Sequence, residues 1–462
     1  MIIKLNRSIL YNISLFRIIY TLSLLFEIIA FPPIEILAGW INGVTFVWGA
    51  VICLHMMFYE SYKFKIQYKK IAFAFVFLCL FTSFVNFTDN FLMNLITVFN
   101  NFMYIFLFFG MSKNTNKDIL EKEINFIFRF IMFFSFLISI IGIYISFKYK
   151  YINFMGHDIG IFKDRFFGIS TNPNQLGFLS VVSIFSCELL DDKYMKLKFK
   201  FNSVISKLCI IFNICILFLT DSNASFVFAT VYLVIRIFYE SFSKYEKVKE
   251  IKFMREIIFI SICMSLIVSG SFLTRITCQK FMNKIVNHKT NNLNLDNKNV
   301  KVIENYESIP ESHLGRGNHE LSSGRIFFFK QGIKLCKIHP LIGIGRENLE
   351  YYGKIYLNGR LVFNFKHPDL HNLYLTILVS YGLIGFFLFI TFILLILYRI
   401  SYTVFINMHT DKGRFISKLF SIIVAYFSYV NFEVGVLSGI AFSDVLIWIY
   451  LGYCMSFVED YN

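Results

Sequence analysis

Long apolar runs with few charges dominate the sequence, and they decide in which environment the chain can fold. A transmembrane helix needs about 20 mostly apolar residues, and about 12 such stretches can be placed along the chain. With 56% hydrophobic and 16% charged residues, the chain is too apolar for a soluble enzyme or a disordered protein. We therefore predict an all-α integral membrane protein. The predicted spans lie near residues 9–31, 37–58, 71–87, 90–111, 124–147, 168–190, 203–220, 223–240, 256–273, 371–398, 416–432 and 435–457.

Lysine and arginine are divided unevenly between the short loops, and this asymmetry predicts the orientation of the chain. One side carries 22 of these residues, whereas the other carries Lys148, Lys150, Lys163 and Arg165. A missed span would place later loops on the wrong side and remove the asymmetry. The asymmetry therefore supports the span count and predicts that both termini are cytoplasmic. The formal net charge of +15 is explained by the same loops, so we expect no nucleic-acid partner.

One long hydrophilic segment divides the predicted architecture into three parts. Residues 1–274 hold the first nine predicted spans, residues 275–370 form an extracytoplasmic loop, and residues 371–462 hold the last three spans. Within the loop, residues 325–338 read RIFFFKQGIKLCKI. Apolar residues recur there at helical spacing, and three lysines share another face. The pattern predicts an amphipathic helix, either on the outer membrane surface or packed on the protein.

Polar residues on the predicted outer side are the candidates for chemistry. An enzyme that acts there on a lipid-linked anion needs cations and a base near the interface. The candidates are Arg165, Asn172, Asn174, Asn223, Arg325, Gly343, Gly345, Arg346, His371 and Asn372.

Two of these candidates, Asn172 and Asn174, flank Pro173 and predict a capped helix start, where free N–H groups favour an anion. Arg165 lies just before this helix and Arg325 at the start of the amphipathic helix. Arginine binds phosphate oxygens with two parallel hydrogen bonds and stays charged. The alternative interpretation is an ordinary helix cap and two interfacial arginines without a function.

His371 begins the tenth predicted span, where an imidazole near a helix N-terminus tends to stay neutral and able to accept a proton. It could equally be an interfacial histidine without a role. Gly343 and Gly345 could form a turn that approaches a ligand closely, although Gly-x-Gly alone is weak evidence for phosphate. Asn223 lies in a tight turn, which its residue type alone explains.

Two acids lie in the last predicted pair of spans, Glu433 at the outer turn and Asp444 within the twelfth span. A carboxylate at membrane depth is costly and is a functional candidate by default. Either acid could also be a buried partner between helices or a proton-relay group.

Five motifs follow one another in a recognisable order between residues 160 and 390. They are RFFGISTNPN at 165–174, DSNAS at 221–225, SGR at 323–325, HPLIGIG at 339–345 and HNLYLTILVSYGLIG at 371–385. This series resembles the superfamily of O-antigen ligases and polysaccharide repeat-unit polymerases of bacterial envelopes. The flanking spans resemble that superfamily only in being apolar helices, without a recognisable motif.

The resemblance implies a GT-C-like, metal-independent glycosyltransferase without a cofactor, active at the outer face of the bacterial plasma membrane. Its substrate would be an oligosaccharide linked to undecaprenyl pyrophosphate. By this resemblance Arg165 and Arg325 grip the pyrophosphate, and His371 positions or deprotonates the acceptor hydroxyl or supports the leaving group. The expected partners are the lipid bilayer, a flippase and chain-length regulator proteins. The remaining substrate-binding candidates are Asn172, Asn174, Asn223, Gly343, Gly345, Arg346 and Asn372.

One departure from the superfamily pattern bears on the reaction. Many members carry Ser-Arg in the turn after the seventh span, where this chain has Ser222 and Asn223. Either Arg165 and Arg325 would be sufficient to bind the pyrophosphate, or Lys163 or Arg346 would take the place of the missing arginine. The departure favours a polymerase over an O-antigen ligase. A transporter or flippase is the alternative from another class, but the long outer loop and the lack of an obvious inverted repeat count against it.

Overall fold

The described residues of the chain are mostly helical. The computed structural model describes residues 10–59, 67–110, 116–149, 151–162, 165–199, 202–245, 277, 325–357, 370–433 and 441–458. Numbered in chain order, the described helices are α1 Ile13–Phe26, α2 Pro32–Phe58, α3 Lys69–Val85, α4 Phe91–Met103, α5 Lys117–Tyr149, α6 Pro173–Leu190, α7 Lys193–Lys198, α8 Ser203–Thr220, α9 Asn223–Tyr245, α10 Arg325–Cys336, α11 Leu349–Tyr356, α12 Leu373–Ile406, α13 Asp411–Tyr429 and α14 Phe442–Val458. Helix α4 continues as a π-helix over Tyr104–Phe109.

Six of the described helices are long and apolar enough to cross a membrane, namely α2, α4 with its π-helical continuation, α5, α8, α9 and α12. Helices α1 and α14 are apolar but shorter. All eight coincide with predicted spans, and the class of integral membrane protein built from helices is confirmed. The predicted span 256–273 and most of the predicted loop 275–370 lie outside the described residues, so the count of about 12 spans stays a prediction.

A small antiparallel sheet lies between α5 and α6, where the sequence analysis assigned no strand. Its strands, in spatial and chain order, are β1 Tyr151–Phe154, β2 His157–Phe162 and β3 Arg165–Gly168. An isolated bridge joins Ile29 to Ser170, so the turn between α1 and α2 is tied to the chain that enters α6. Arg165 is the first residue of β3, and the sheet therefore fixes the position of its backbone.

The segment 339–345 is hydrogen-bonded to a kink in α12. Gly382 interrupts that helix with a φ of +66°, which frees main-chain groups on either side. The segment satisfies them through four bonds: Ile344 N to Val379 O at 3.0 Å, Gly345 N to Ser380 O at 2.9 Å, Leu383 N to Pro340 O at 2.9 Å and Ile384 N to Leu341 O at 3.1 Å. Irregular backbone at such a position is tolerated because its polar groups are paired within the protein.

A buried ion pair fastens α1 to α5. Arg17 donates from Nε and Nη2 to the two carboxylate oxygens of Glu123 at 2.7 and 2.8 Å. The hydroxyl of Tyr453 in α14 donates to the same carboxylate at 2.8 Å. Both charged side chains are fully buried, and a charge in such surroundings needs a partner. The pair therefore fixes the relative position of three helices.

Charged residues also join α7 to α13 at the far end of α6 from β3, the end predicted to be cytoplasmic. The Nζ atom of Lys193 lies 2.9 Å from a carboxylate oxygen of Asp411, and that of Lys418 lies 2.8 Å from Asp192. These pairs cluster where the charge count places the basic loops.

Candidate functional site

Glu433, in the turn after α13, is the point at which three predicted site residues meet. Its Oε1 accepts a hydrogen bond from Asn174 Nδ2 at 2.9 Å and lies 3.4 Å from Arg325 Nη2. Its Oε2 lies 3.8 Å from His371 Nδ1. The Glu433 side chain is 16% exposed, and one largely buried carboxylate thus holds an amide, a guanidinium and an imidazole.

Arg165 reaches the same carboxylate through Asn174. Its Nη2 donates to Asn174 Oδ1 at 2.6 Å, and its Nε donates to the carbonyl of Thr220 at 3.1 Å. Because the Asn174 oxygen faces a guanidinium and its nitrogen faces the Glu433 carboxylate, the hydrogen-bond network fixes the orientation of this amide. We call Arg165, Asn174, Arg325, His371 and Glu433 the Glu433 cluster.

Two asparagine caps place members of the cluster. The Oδ1 of Asn172 accepts from the backbone N–H of Asn174 at 2.8 Å and caps α6, which confirms the predicted capped helix start. Asn372 caps α12, and its Nδ2 donates to the carbonyl of Asn431 at 3.1 Å. This second cap ties the start of α12, next to His371, to the turn that carries Glu433.

The backbone of His371 is held in an unfavourable conformation. Its φ of +50° is left-handed, which costs of order 1 kcal/mol for a residue with a side chain. The imidazole meets the ring of Phe328 edge-on, with ring centroids 5.4 Å apart. Two residues later, Leu373 begins α12, and its N–H donates to the carbonyl of Val430 at 2.9 Å. Backbone strain retained at a polar cluster is typical of functional sites.

Arg325 is the first residue of α10 and is oriented by a ring as well as by a carboxylate. Its guanidinium lies over the ring of Phe432, 5.6 Å from the centroid. The arginine side chain is 22% exposed and that of His371 is 31% exposed. Both polar heads therefore remain accessible from one side while their other contacts fix them.

Helix α10 confirms the helix predicted from residues 325–338, and its faces differ in their surroundings. Phe328, Gln331 and Leu335 are buried against the protein. The predicted apolar face is exposed, with Ile326, Phe329 and Ile333 between 42% and 56% accessible. One face thus packs on the protein, and another presents apolar side chains to the surroundings.

The structure does not bring Gly343, Gly345 and Arg346 into contact with the Glu433 cluster in the part of the chain that it describes. Both glycines belong to the segment bonded to the kink in α12, with φ values of +76° and +85°. Arg346 is 2% exposed and begins a 3₁₀ turn whose next residue, Glu347, accepts a hydrogen bond from Thr97 of α4 at 2.8 Å. These contacts support the architecture around α12.

Asn223 lies near the cluster, at the start of α9. It comes two residues before Ser225, whose hydroxyl donates to the backbone carbonyl of Asn174 at 3.4 Å. Lys163, the other possible substitute for the missing arginine, lies outside the described residues. Asp444 is fully buried in the first turn of α14.

The charges of the cluster suit an anion. Arg165 and Arg325 outnumber the single carboxylate of Glu433, so the cluster stays positive even with a neutral His371. Across the described ranges, no group of three or more His, Cys, Asp or Glu side chains could hold a metal ion. From the sequence, Glu433 is a candidate acid without a place among the site residues, because no local pattern shows which turns meet in the fold.

Comparison with known families supports the predicted resemblance. A family model described as O-antigen ligase matches residues 208–390. The matched range includes Arg325, His371 and the kinked part of α12, whereas Arg165 and Glu433 lie outside it. No curated protein matches the chain. The predicted resemblance to the O-antigen ligase and polymerase superfamily is therefore confirmed over residues 208–390, and the apolar helices identify the chain as an integral membrane protein.

Proposed function

We propose that this protein is the polymerase of a bacterial surface polysaccharide. It transfers a glycan chain from undecaprenyl pyrophosphate onto the next lipid-linked repeat unit, at the outer face of the plasma membrane. The observation that carries the proposal is the Glu433 cluster, in which two arginines and a histidine from distant parts of the chain surround one carboxylate. The family match supports the reaction type.

The arginines bind and stabilise the pyrophosphate. When the bond between the sugar carbon and the pyrophosphate oxygen breaks, negative charge builds on the leaving group. Arg165 and Arg325 supply fixed positive charge there, and each can donate more than one hydrogen bond to phosphate oxygens. Asn174 keeps the Arg165 guanidinium in place for this role.

His371 acts on the acceptor. As the acceptor hydroxyl attacks the sugar carbon, the imidazole takes the hydroxyl proton. Asn172 and Asn372, as helix caps beside the cluster, and Asn223, near Asn174, are proposed to line the substrate. Gly343, Gly345 and Arg346 are assigned an indirect contribution, since their contacts hold the chain around α12.

An O-antigen ligase is the second candidate, and the name of the matched family favours it. A ligase would use the same donor chemistry but would pass the glycan to a lipid A core. The absence of an arginine beside Ser222 supports the polymerase instead.

The test uses the purified full-length protein in detergent. It receives lipid-linked repeat units extracted from a host strain that lacks the protein, with EDTA present, and the products are separated by gel electrophoresis. We expect a ladder of chain lengths from the unchanged protein and from the control Arg414→Ala, whose side chain is exposed at the opposite end. We expect no ladder from Arg325→Ala or His371→Ala.

Three other results would change the proposal. Transfer that appears only after a lipid A core acceptor is added identifies a ligase. Ladders from both Arg325→Ala and His371→Ala at the unchanged rate would refute the assigned roles. A ladder that needs a divalent metal and is lost in EDTA would refute metal independence alone.

A further inference from the structure

Glu433 contacts more members of the cluster than any other of its residues, yet the proposed reaction gives it no step. We propose that Glu433 is the positioning residue of this site: it orients His371 for proton transfer and holds the arginine network around the reacting groups. This inference rests on the proposed function and deepens it. Glu433 touches neither substrate nor leaving group in this role, since it acts through the side chains that it contacts.

Nδ1 is the nitrogen of His371 that faces the Glu433 carboxylate. Oε2 of Glu433 lies 3.8 Å from Nδ1 of His371. This separation exceeds a hydrogen bond, and catalytic contacts of this length often tighten only when substrate binds. A carboxylate at Nδ1 keeps the proton on that nitrogen. Nε2 is then the nitrogen that accepts the proton of the acceptor hydroxyl.

His371 acquires a positive charge in the proposed reaction. After it accepts a proton the imidazolium has Arg325 of α10 near it, and Arg165 is linked to the same carboxylate through Asn174. Two positive charges oppose the new one, and the negative charge of Glu433 offsets them. Without this carboxylate, the arginines that favour the pyrophosphate would disfavour protonation of the base.

The two oxygens of Glu433 have separate partners. Oε1 serves Asn174 and Arg325, and Oε2 serves His371. A glutamine at this position can therefore keep its carbonyl oxygen toward Asn174 and Arg325. Its amide nitrogen then faces Nδ1 and donates to it, which forces the proton onto Nε2 and removes the base. Glu433→Gln thus separates orientation of the histidine from support of the fold.

The kinetic experiment compares Glu433→Gln and Glu433→Asp with the unchanged protein in the polymerisation assay. We expect kcat of Glu433→Gln to fall roughly 100-fold, with the KM for the lipid-linked donor changed by less than about threefold. Glu433→Asp keeps the charge on a side chain one methylene shorter and should recover at least tenfold of that loss, about 1.4 kcal/mol in activation free energy. The matched control is Glu350→Gln, an exposed acid paired with Lys354 in α11.

A double variant tests whether Glu433 acts through His371. If it does, Glu433→Gln lowers the residual rate of His371→Ala by less than about threefold, because the step that it supports is already lost. The inference is overturned if Glu433→Gln is as active as the unchanged protein. It is also overturned if the change reduces the rate by the same factor with and without His371.

A measurement without turnover separates failure of this inference from failure of the proposed function. Nitrogen-15 NMR of histidine-labelled protein reports which ring nitrogen carries the proton, and the His371 signal is the one missing from His371→Asn. We expect the proton on Nδ1 in the unchanged protein and on Nε2 in Glu433→Gln. The same tautomer in both proteins overturns the inference, even if the substrate proves to be different.

Discussion

Replacing Gly343 by alanine is expected to loosen the junction between segment 339–345 and α12. A Cβ atom at this position would lie 2.3 Å from the backbone carbon of Ser380, a distance that no packing adjustment of a side chain can relieve. The φ of Gly343 is +76°, so the new side chain would also meet an unfavourable backbone conformation. Both effects act on the junction and leave the Glu433 cluster itself unchanged.

The magnitude follows from these two effects. A left-handed conformation costs a residue with a side chain roughly 1–2 kcal/mol, and forcing an extra carbon into a packed site costs roughly 1–3 kcal/mol. We therefore expect the free energy of unfolding to fall by about 2–5 kcal/mol. The matched control is Gly39→Ala in α2, where a new Cβ meets no atom within 4 Å and helix propensity favours alanine by up to about 1 kcal/mol.

The assay is thermal unfolding in detergent, followed by tryptophan fluorescence, together with the KM of the polymerisation reaction. Gly343→Ala should lower Tm by several degrees, whereas Gly39→Ala should leave Tm equal or higher. Equal Tm values for the two variants would refute the packing argument. An unchanged Tm combined with a raised KM for the donor would instead show that Gly343 binds substrate.

Three further predictions follow from other contacts. Arg17→Ala should lower the free energy of unfolding by roughly 3–5 kcal/mol, because it leaves the buried Glu123 carboxylate without its charged partner. The double change Arg17→Leu, Glu123→Leu should lower it by less, and a larger loss of Tm in the double variant contradicts this prediction. Burial raises the pKa of the Cys336 thiol to about 11, so maleimide labelling at pH 8, followed by mass spectrometry, should be about 100-fold slower than for a thiol of pKa 9; labelling at the rate of an exposed thiol contradicts it. The hydrogen bond from Lys193 holds the pKa of the Asp411 carboxyl below its ordinary value, so this pair stabilises the protein above about pH 4 and loses its effect as pH falls further. Asp411→Asn should accordingly lower Tm at pH 7 but not at pH 2.5, and an equal loss at both pH values is the contrary result.

Helix positions could be predicted because they depend on local sequence. The predicted span 203–220 and helix α8 have the same bounds, Ser203–Thr220. The predicted helix 325–338 is α10, and Asn172 is the predicted cap. Apolar runs, helical spacing and capping residues report on interactions within a few residues, which a single sequence contains.

Pairings between distant segments could not be predicted in this way. Glu433 meets Arg325 across 108 positions and Asn174 across 259 positions, and no periodicity indicates which turns lie side by side. Only its residue type and its turn pointed to a function. The placement of Arg165, Arg325 and His371 on one predicted side was sufficient to group them but not to find the acid between them.

Two irregular features were also missed, for different physical reasons. The three strands have only four to six residues each, too few for a clear alternating pattern. The kink at Gly382 lies inside a continuous apolar run, so run length alone predicts an unbroken helix. The interruption is stable because segment 339–345 supplies the missing hydrogen bonds, and that partner is distant in sequence.

Glu433 follows every residue that it contacts in the order of synthesis. Chains are made from the N-terminus at about 5–20 residues per second, so Arg165, Arg325 and His371 are in place seconds before α13 has been inserted. A partly inserted chain holds three basic side chains without the acid that orders them. The Glu433 cluster therefore acquires its full set of contacts only after the turn that follows α13 has been made.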